Sequence, residues 1–252
     1  MSYILITGAS SGLGLEFAKQ FAKKGENLVL VARRKEKLEQ IKLELEQKHS
    51  IKVIVFNIDL TNLELVKKLK QDLEQQNISI KTLINNAGFG TSGCFLDTAF
   101  QKEIDLLDLN IKALLALSKL FLQDLIDNKG TILNVASIAA FIPLPFMTNY
   151  AASKAFVLNF SQALRLELKN KVNVCVLCPG PTKTEFFEVA NMKSNPVLQK
   201  NLMPADKVVE IAINQMAKNK AVIVPGLINK IMVSIAPFIP SKILEISAKN
   251  FV

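Results

Sequence analysis

Seven short apolar runs, at residues 3–7, 27–32, 51–57, 82–84, 131–136, 172–178 and 221–224, recur along the chain, and segments with helical periodicity lie between them, as at 14–24 and 35–48. Continuous apolar runs of this length suit strands buried on both faces, and their alternation with amphipathic helices requires a parallel sheet covered on both sides. The expected architecture is therefore α/β: a doubly wound parallel sheet of Rossmann type, about seven strands with helices on both faces, taking ligands at the carboxyl ends of its strands. Local punctuation agrees. Thr61-Asn62-Leu63-Glu64 reads as a capping box opening a helix, and Gly25 as the stop of the first one.

The 252 residues fit one domain, 1–252, with no linker, repeat or low-complexity stretch dividing it. Met1-Ser2-Tyr3 runs straight into Ile4-Leu5-Ile6 with no basic leader or cleavage site, so a cytoplasmic protein is expected. The net charge of +9 raises the question of nucleic acid. The densest stretch, 33–48, interleaves its basic residues with Glu36, Glu39, Glu44 and Glu46 and has no aromatic residues to stack on bases. That is a solvated helix face, and nucleic acid is not expected as a partner. Three cysteines, Cys94, Cys175 and Cys178, cannot make a disulfide framework. Cys175 and Cys178 stand three apart on an expected strand and so point to opposite faces; no metal site is expected.

Directly after the first run, Thr7-Gly8-Ala9-Ser10-Ser11-Gly12-Leu13-Gly14 leads into a helix. Glycines there let the backbone turn sharply and approach a pyrophosphate, whose charge meets free N–H groups and the positive end of the helix. The same residues spell Gly8-x-Ser10-x-Gly12, the nucleophile elbow of serine hydrolases. A hydrolase needs an acid and then a histidine after the serine, but the one histidine, His49, lies in the polar Lys48-His49-Ser50 at a helix end. The dinucleotide reading is the better one. After the second run, Arg33 and Arg34 stand where an NAD-selective site presents a carboxylate to the ribose 2′-hydroxyl; guanidinium groups there suit a 2′-phosphate, hence NADP(H).

Tyrosine is scarce, only Tyr3 and Tyr150, and Tyr150 has Lys154 four residues on in an apolar stretch that reads as helix. That spacing puts both side chains on one face. An ammonium held close to a phenol favours the phenolate and lowers its pKa, preparing Tyr150 to exchange a proton with a substrate oxygen.

Taken together, these motifs resemble the short-chain dehydrogenases/reductases over nearly the whole chain. Thr7-Gly8 through Gly14 is similar to that family's cofactor loop, with Gly8, Ser10, Ser11, Gly12, Leu13 and Gly14 as its binding positions. Asn85-Asn86-Ala87-Gly88 resembles its turn after the fourth strand, placing Asn86, Ala87 and Gly88 at the cofactor. Asp59 and Leu60 fall where the family contacts adenine, and Pro179-Gly180-Pro181-Thr182-Lys183-Thr184 is similar to its nicotinamide-side loop, which assigns Pro179, Gly180, Thr182 and Thr184 to the cofactor. Ser137, Tyr150 and Lys154 match its catalytic set, with a thirteen-residue step from Ser137 to Tyr150, and Asn110 falls at its fourth catalytic position. One departure concerns the phosphate. Many NADP-using members carry a basic residue before the middle glycine, where this chain has Ser11, so recognition rests on Arg33 and Arg34 with help from Ser10 or Ser11.

The resemblance implies hydride transfer between NADP(H) and a carbonyl or secondary alcohol. Tyr150 would pass the proton, Ser137 hold the substrate oxygen, Lys154 serve both the tyrosine and the nicotinamide ribose, and Asn110 organise a water chain. It also implies a substrate lid near 185–203. Phe186, Phe187, Val189, Met192 and Leu198 in that segment, with Phe89, Phe141 and Phe146, favour a lipophilic substrate such as an acyl chain or sterol-like ketone. The basic, apolar tail 226–252 is interrupted by Lys230, Pro237 and Pro240; it covers the pocket, packs on a partner subunit or makes peripheral membrane contact. Helices expected over 97–126 and 149–169 are apolar on more than one side, and the family pairs these two helices in homodimers or homotetramers. A catalytically idle NADP-binding regulatory protein and a membrane-surface protein on the same fold are the alternatives.

Overall fold

The computed structural model describes residues 2–190 and 202–238. Its elements in chain order are β1 (Ser2–Thr7), α1 (Gly12–Ala22), β2 (Leu28–Ala32), α2 (Lys35–His49), β3 (Val53–Asn57), α3 (Leu63–Gln75), β4 (Ser79–Asn85), α4 (Phe100–Leu107), a π-helical stretch (Asp108–Ala113), α5 (Leu114–Leu120), α6 (Leu122–Asp127), β5 (Thr131–Val135), a 3-10 turn (Ile138–Phe141), α7 (Thr148–Glu167), β6 (Asn173–Leu177), β7 (Thr182–Lys183), α8 (Phe186–Val189), β8 (Met203–Pro204), α9 (Ala205–Ala217), β9 (Val222–Ile223) and α10 (Leu227–Ile235). Seven strands pair in parallel in the order β3-β2-β1-β4-β5-β6-β9, the doubly wound sheet that the apolar runs predict. The two-residue strands β7 and β8 form a separate small sheet that no apolar run announces.

Alternation within the strands divides the core into two layers. On β2, Leu28, Leu30 and Ala32 pack with Phe17 and Phe21 of α1, Leu38 of α2 and Val208 of α9. Val29 and Val31 face the opposite layer, with Val66 and Leu69 of α3 and Leu117 of α5. Burying a side chain the size of Phe17, which is fully enclosed, contributes about 1.5–3 kcal/mol. Cys175 belongs to the first layer and Cys178 to the cluster around Val157 and Leu158, so the two thiols do point apart as expected.

Local signals fared unevenly. α1 starts at Gly12, two residues ahead of the expected start, and ends at Ala22, followed by Gly25 at φ +75 as its stop. The cap of α3 is Asn62 rather than Thr61: Asn62 Oδ1 accepts from the N–H groups of Glu64 and Leu65, while Thr61 Oγ1 donates to Asp59. The single helix expected over 97–126 is broken twice, by the π-helical stretch and at Phe121, a fully buried ring with Lys70 Nζ 5.2 Å from its centre. The second break frees Asp124 to pair with Lys70 and to accept from Ile80 N–H on β4.

Of the expected tail, residues 239–252 lie outside the described residues. α10 has no buried residue; Leu227, Ile228 and Phe238 just beyond it are 73%, 75% and 82% exposed. Among the described residues no helix is long and apolar enough to cross a membrane.

A buried polar chain ties the second layer to the sheet. Asn85 and Asn134 are register partners on β4 and β5, and Asn85 Nδ2 donates to Asn134 Oδ1 at 2.9 Å and to Ser118 Oγ of α5 at 3.1 Å. Asn134 Nδ2 donates in turn to Ser161 Oγ of α7 at 2.9 Å.

Candidate active site

A cleft of about 520 Å³ opens along the carboxyl ends of β1, β2, β4, β5 and β6, where a doubly wound sheet is expected to take its ligand. Its floor at one end is the loop after β1. Gly8 and Gly12 have φ of +64 and +54, in the left-handed region that favours glycine, and the turn leaves the first N–H groups of α1 facing the cleft. Thr7, almost fully buried, clamps this loop to the turn after β4. Its Oγ1 accepts from the N–H groups of Asn86 at 3.0 Å and Ala87 at 2.9 Å, and Asn86 Nδ2 donates to Thr7 O at 2.9 Å. The sequence signal for Thr7 was only its place at the head of the glycine motif.

Gly8, Ser10, Ser11, Gly12, Leu13, Arg33, Arg34, Asp59, Leu60, Asn86, Ala87, Gly88, Ser137, Tyr150, Lys154, Pro179, Gly180, Thr182 and Thr184 all line the cleft, as the sequence reading places them. Gly14 and Asn110 do not. Gly14 sits behind the loop, where a side chain would lie 2.3 Å from Gly8 O; it allows close packing. Asn110, in the π-helical stretch, turns its amide inward: Oδ1 accepts from Phe89 N–H at 3.1 Å, and Nδ2 donates to Phe89 O and Ser153 Oγ, both at 3.0 Å. Its side chain positions the loop after β4 and the helix carrying Tyr150.

At the deep end, Tyr150 and Lys154 project from one face of α7, both buried. Ser137 caps the 3-10 turn, its Oγ accepting from Ala139 N–H at 3.1 Å, and it also hydrogen-bonds Tyr150. Lys154 Nζ donates to Val135 O at 2.9 Å and stands 5.8 Å from the centre of the Tyr150 ring. The electrostatics depart from the expected lowering of the tyrosine. Burial, opposed by the Ser137 hydrogen bond, pushes Tyr150 up to about 12, and burial pulls Lys154 down to about 8, against a smaller effect from Cys178. Tyr150 thus stays a proton donor across neutral pH.

The wall over Tyr150 is apolar. Phe89, Phe186 and Phe187 line it as expected, joined by Leu109, Leu144 and Met147, which sequence reasoning missed; Phe141 packs instead against the cluster around Val157, and neither it nor Phe146 lines the cleft. The Phe186 ring lies 5.3 Å from that of Tyr150. Met192 and Leu198, with the rest of the expected lid over 191–201, lie outside the described residues, and so does the side chain of Val189.

At the opposite rim, Arg34 Nε donates to Ser10 Oγ at 3.0 Å and its NH1 pairs with Glu185 at 2.9 Å, a carboxylate that sequence reasoning did not single out. From the α10 side, the Asn229 side chain packs against Gly180 and donates to Pro225 O.

Residues 2–195 match the family model described as short chain dehydrogenase. Over 184 residues the chain is 37% identical to an 11-beta-hydroxysteroid dehydrogenase-like 3 from Arabidopsis thaliana, covering 73% of this chain and 60% of that protein. It is 35% identical over 176 residues to a very-long-chain 3-oxoacyl-CoA reductase from Anas platyrhynchos, covering 68% and 56%. The chain therefore spans only 60% and 56% of the length of these relatives. Among solved structures, a short-chain dehydrogenase from Sphingobium yanoikuyae in complex with NADPH superposes with a TM-score of 0.82 at 33% identity, over 90% of this chain and 88% of that one.

Proposed function

This chain belongs to the short-chain dehydrogenase/reductase family, and on that premise we propose that it is an NADP(H)-dependent oxidoreductase acting on the carbonyl or secondary alcohol of a lipophilic compound. The observation that carries the reading is the convergence of Ser137, Tyr150 and Lys154 in one cleft with the glycine loop and the start of α1. That cleft suits a dinucleotide: glycine lets the loop turn where a side chain would be strained, and Arg33 and Arg34 line the end suited to a 2′-phosphate. When bound, the nicotinamide would supply or accept the hydride. The chain's own groups do the rest. In the reducing direction Tyr150 hands its proton to the substrate oxygen as negative charge gathers there, and Ser137 donates a hydrogen bond that fixes the oxygen. Lys154 serves the cofactor ribose, and Asn110 holds the Tyr150 helix against the loop after β4.

The apolar wall of Phe89, Leu109, Leu144, Met147, Phe186 and Phe187 supports a lipophilic substrate, as do the substrates named for the two curated relatives. A panel of acyl and sterol-like ketones, followed by NADPH absorbance, tests the activity; no consumption with any of them, by protein that binds NADPH, would count against it.

The 2′-phosphate preference predicts a lopsided response to charge reversal. Arg33→Asp, alone or with Arg34→Asp, should weaken NADPH binding by about tenfold to a hundredfold, the worth of charge-assisted hydrogen bonds at about 1.5–3 kcal/mol, and change NADH binding little. Equal shifts for the two cofactors in parallel titrations would remove the arginines as selectors.

A homodimer or larger assembly is also proposed. Much of the apolar surplus read from the helices, including Leu106, Leu114, Leu117 and Leu158, is spent in the core, but Leu115 and Leu166 remain exposed and the stacked Phe156 and Phe160 are partly so. Light scattering should give at least twice the 27.9 kDa chain mass; an active species near one chain mass across the micromolar range would refute it. The exposed apolar face of α10, with Lys230 on the same helix, favours peripheral membrane contact as a second role for this surface.

A further inference from the structure

Glu185 places a carboxylate at the end of the cleft that binds negative charge in the reading above. Its Oε2 accepts from Arg34 NH1 at 2.9 Å, and its Oε1 lies 3.5 Å from Lys37 Nζ. The Arg34 hydrogen bond above all holds its carboxyl below the usual glutamate range, ionised at neutral pH. Arg34 Nε is meanwhile committed to Ser10 Oγ. Ser10, Arg34 and Lys37 are groups that a phosphate entering this corner of the cleft would seek, and each is engaged by Glu185 or by its guanidinium partner. Thr184, just before Glu185, accepts from Phe186 N–H through Oγ1, and the Phe186 ring leans on Tyr150.

We propose that Glu185 is a specificity-determining residue for the cofactor, an internal competitor that occupies Arg34 and Lys37, two of the cations open to a 2′-phosphate beside Arg33. The inference rests on the NADP(H) reading. A 2′-phosphate bound here would compete with the Glu185 carboxylate for Arg34 and Lys37, because two anions brought to the same cations repel each other at that range. NAD(H) has no 2′-phosphate, so it leaves the Arg34–Glu185 pair in place. Glu185 thus narrows the preference that Arg33 and Arg34 create. Both partners of the pair are close to half-exposed, so the effect is modest.

The test is a set of titrations of the full chain and of Glu185→Gln with NADPH, NADH and 2′,5′-ADP, the last carrying the 2′-phosphate without nicotinamide. Glu185→Gln should bind NADPH and 2′,5′-ADP roughly three- to fivefold more tightly and NADH within about twofold of the parent. The gain should shrink when the same change is made in an Arg34→Met background, and shrink as salt rises. Unchanged or weaker NADPH binding by a folded Glu185→Gln protein, or equal shifts for NADPH and NADH, would overturn the inference and leave the cofactor reading standing. Failure of the parent chain to bind either cofactor would overturn both.

Discussion

Tyr150→Phe should lower kcat by roughly a hundredfold to ten-thousandfold, the range for losing a positioned acid, while NADPH affinity stays within about twofold. The substitution keeps the ring that packs against Phe186 at 5.3 Å and lies in the cluster with Leu106 and Ala139, and removes only the hydroxyl that bonds Ser137. The same protein should also differ in alkaline stability. Burial raises the folded-state pKa of Tyr150 from 10.0 to about 12, so between those values the unfolded chain has released a proton that the folded chain keeps. Stability from this group is whole below pH 10 and is lost as pH rises toward 12. Denaturation curves across that interval should fall less steeply for Tyr150→Phe than for the parent. Activity close to that of the parent would eliminate Tyr150 as the proton donor, and parallel alkaline curves would eliminate its raised pKa.

Gly14→Ala should damage the fold and the cofactor site together. A Cβ there would lie 2.3 Å from Gly8 O in the loop after β1 and 2.6 Å from Asn86 Nδ2 in the turn clamped to it, so neither can yield without disturbing the hydrogen bonds between them. Overpacking of this kind costs about 1–3 kcal/mol, and relief by lifting the loop would spoil its approach to the cofactor, weakening NADPH by about tenfold or more. Gly25→Ala provides the contrast. Gly25 has φ +75 but nothing within 4 Å of an added Cβ, so it bears only the left-handed backbone cost of about 1–2 kcal/mol, with NADPH binding intact. If thermal melts and titrations cannot tell the two variants apart, the close approach at Gly14 is not what holds the loop.

What could be read from the sequence was what short stretches of chain encode. The apolar runs located all seven strands of the main sheet, because a strand buried on both faces carries its environment in its own composition. The glycine loop and the Tyr150–Lys154 pair were legible for the same reason, each being a local spacing on an element of identifiable type, whereas Ser137 was picked out only by the family resemblance. What escaped depends on partners far along the chain. Glu185 meets Arg34 across 151 positions and Thr7 meets Asn86 across 79, with nothing in either neighbourhood to announce the other. The breaks around 108–113 and at Phe121 answer to tertiary packing, which overrides the continuous helical period that the residues display. The tyrosine pKa went the other way from expectation because i, i+4 spacing reports proximity but not depth, and depth decides it here.

The polar chain from Asn85 through Asn134 to Ser161 bears on how accurately Tyr150 is aimed. Ser161 lies eleven residues beyond Tyr150 and seven beyond Lys154, close to three turns and two turns of a helix with 3.6 residues per turn, so all three share one stripe of α7. A helix gripping the sheet only through apolar contacts could roll by some degrees at little cost, swinging the phenol off its target. The 2.9 Å bond from Asn134, together with that of Lys154 Nζ to Val135 O on the same strand, gives the roll angle of α7 two fixed points on a β5 strand that cannot turn with it. A residue about 16.5 Å from Tyr150 along the helix axis thereby serves as its sighting point.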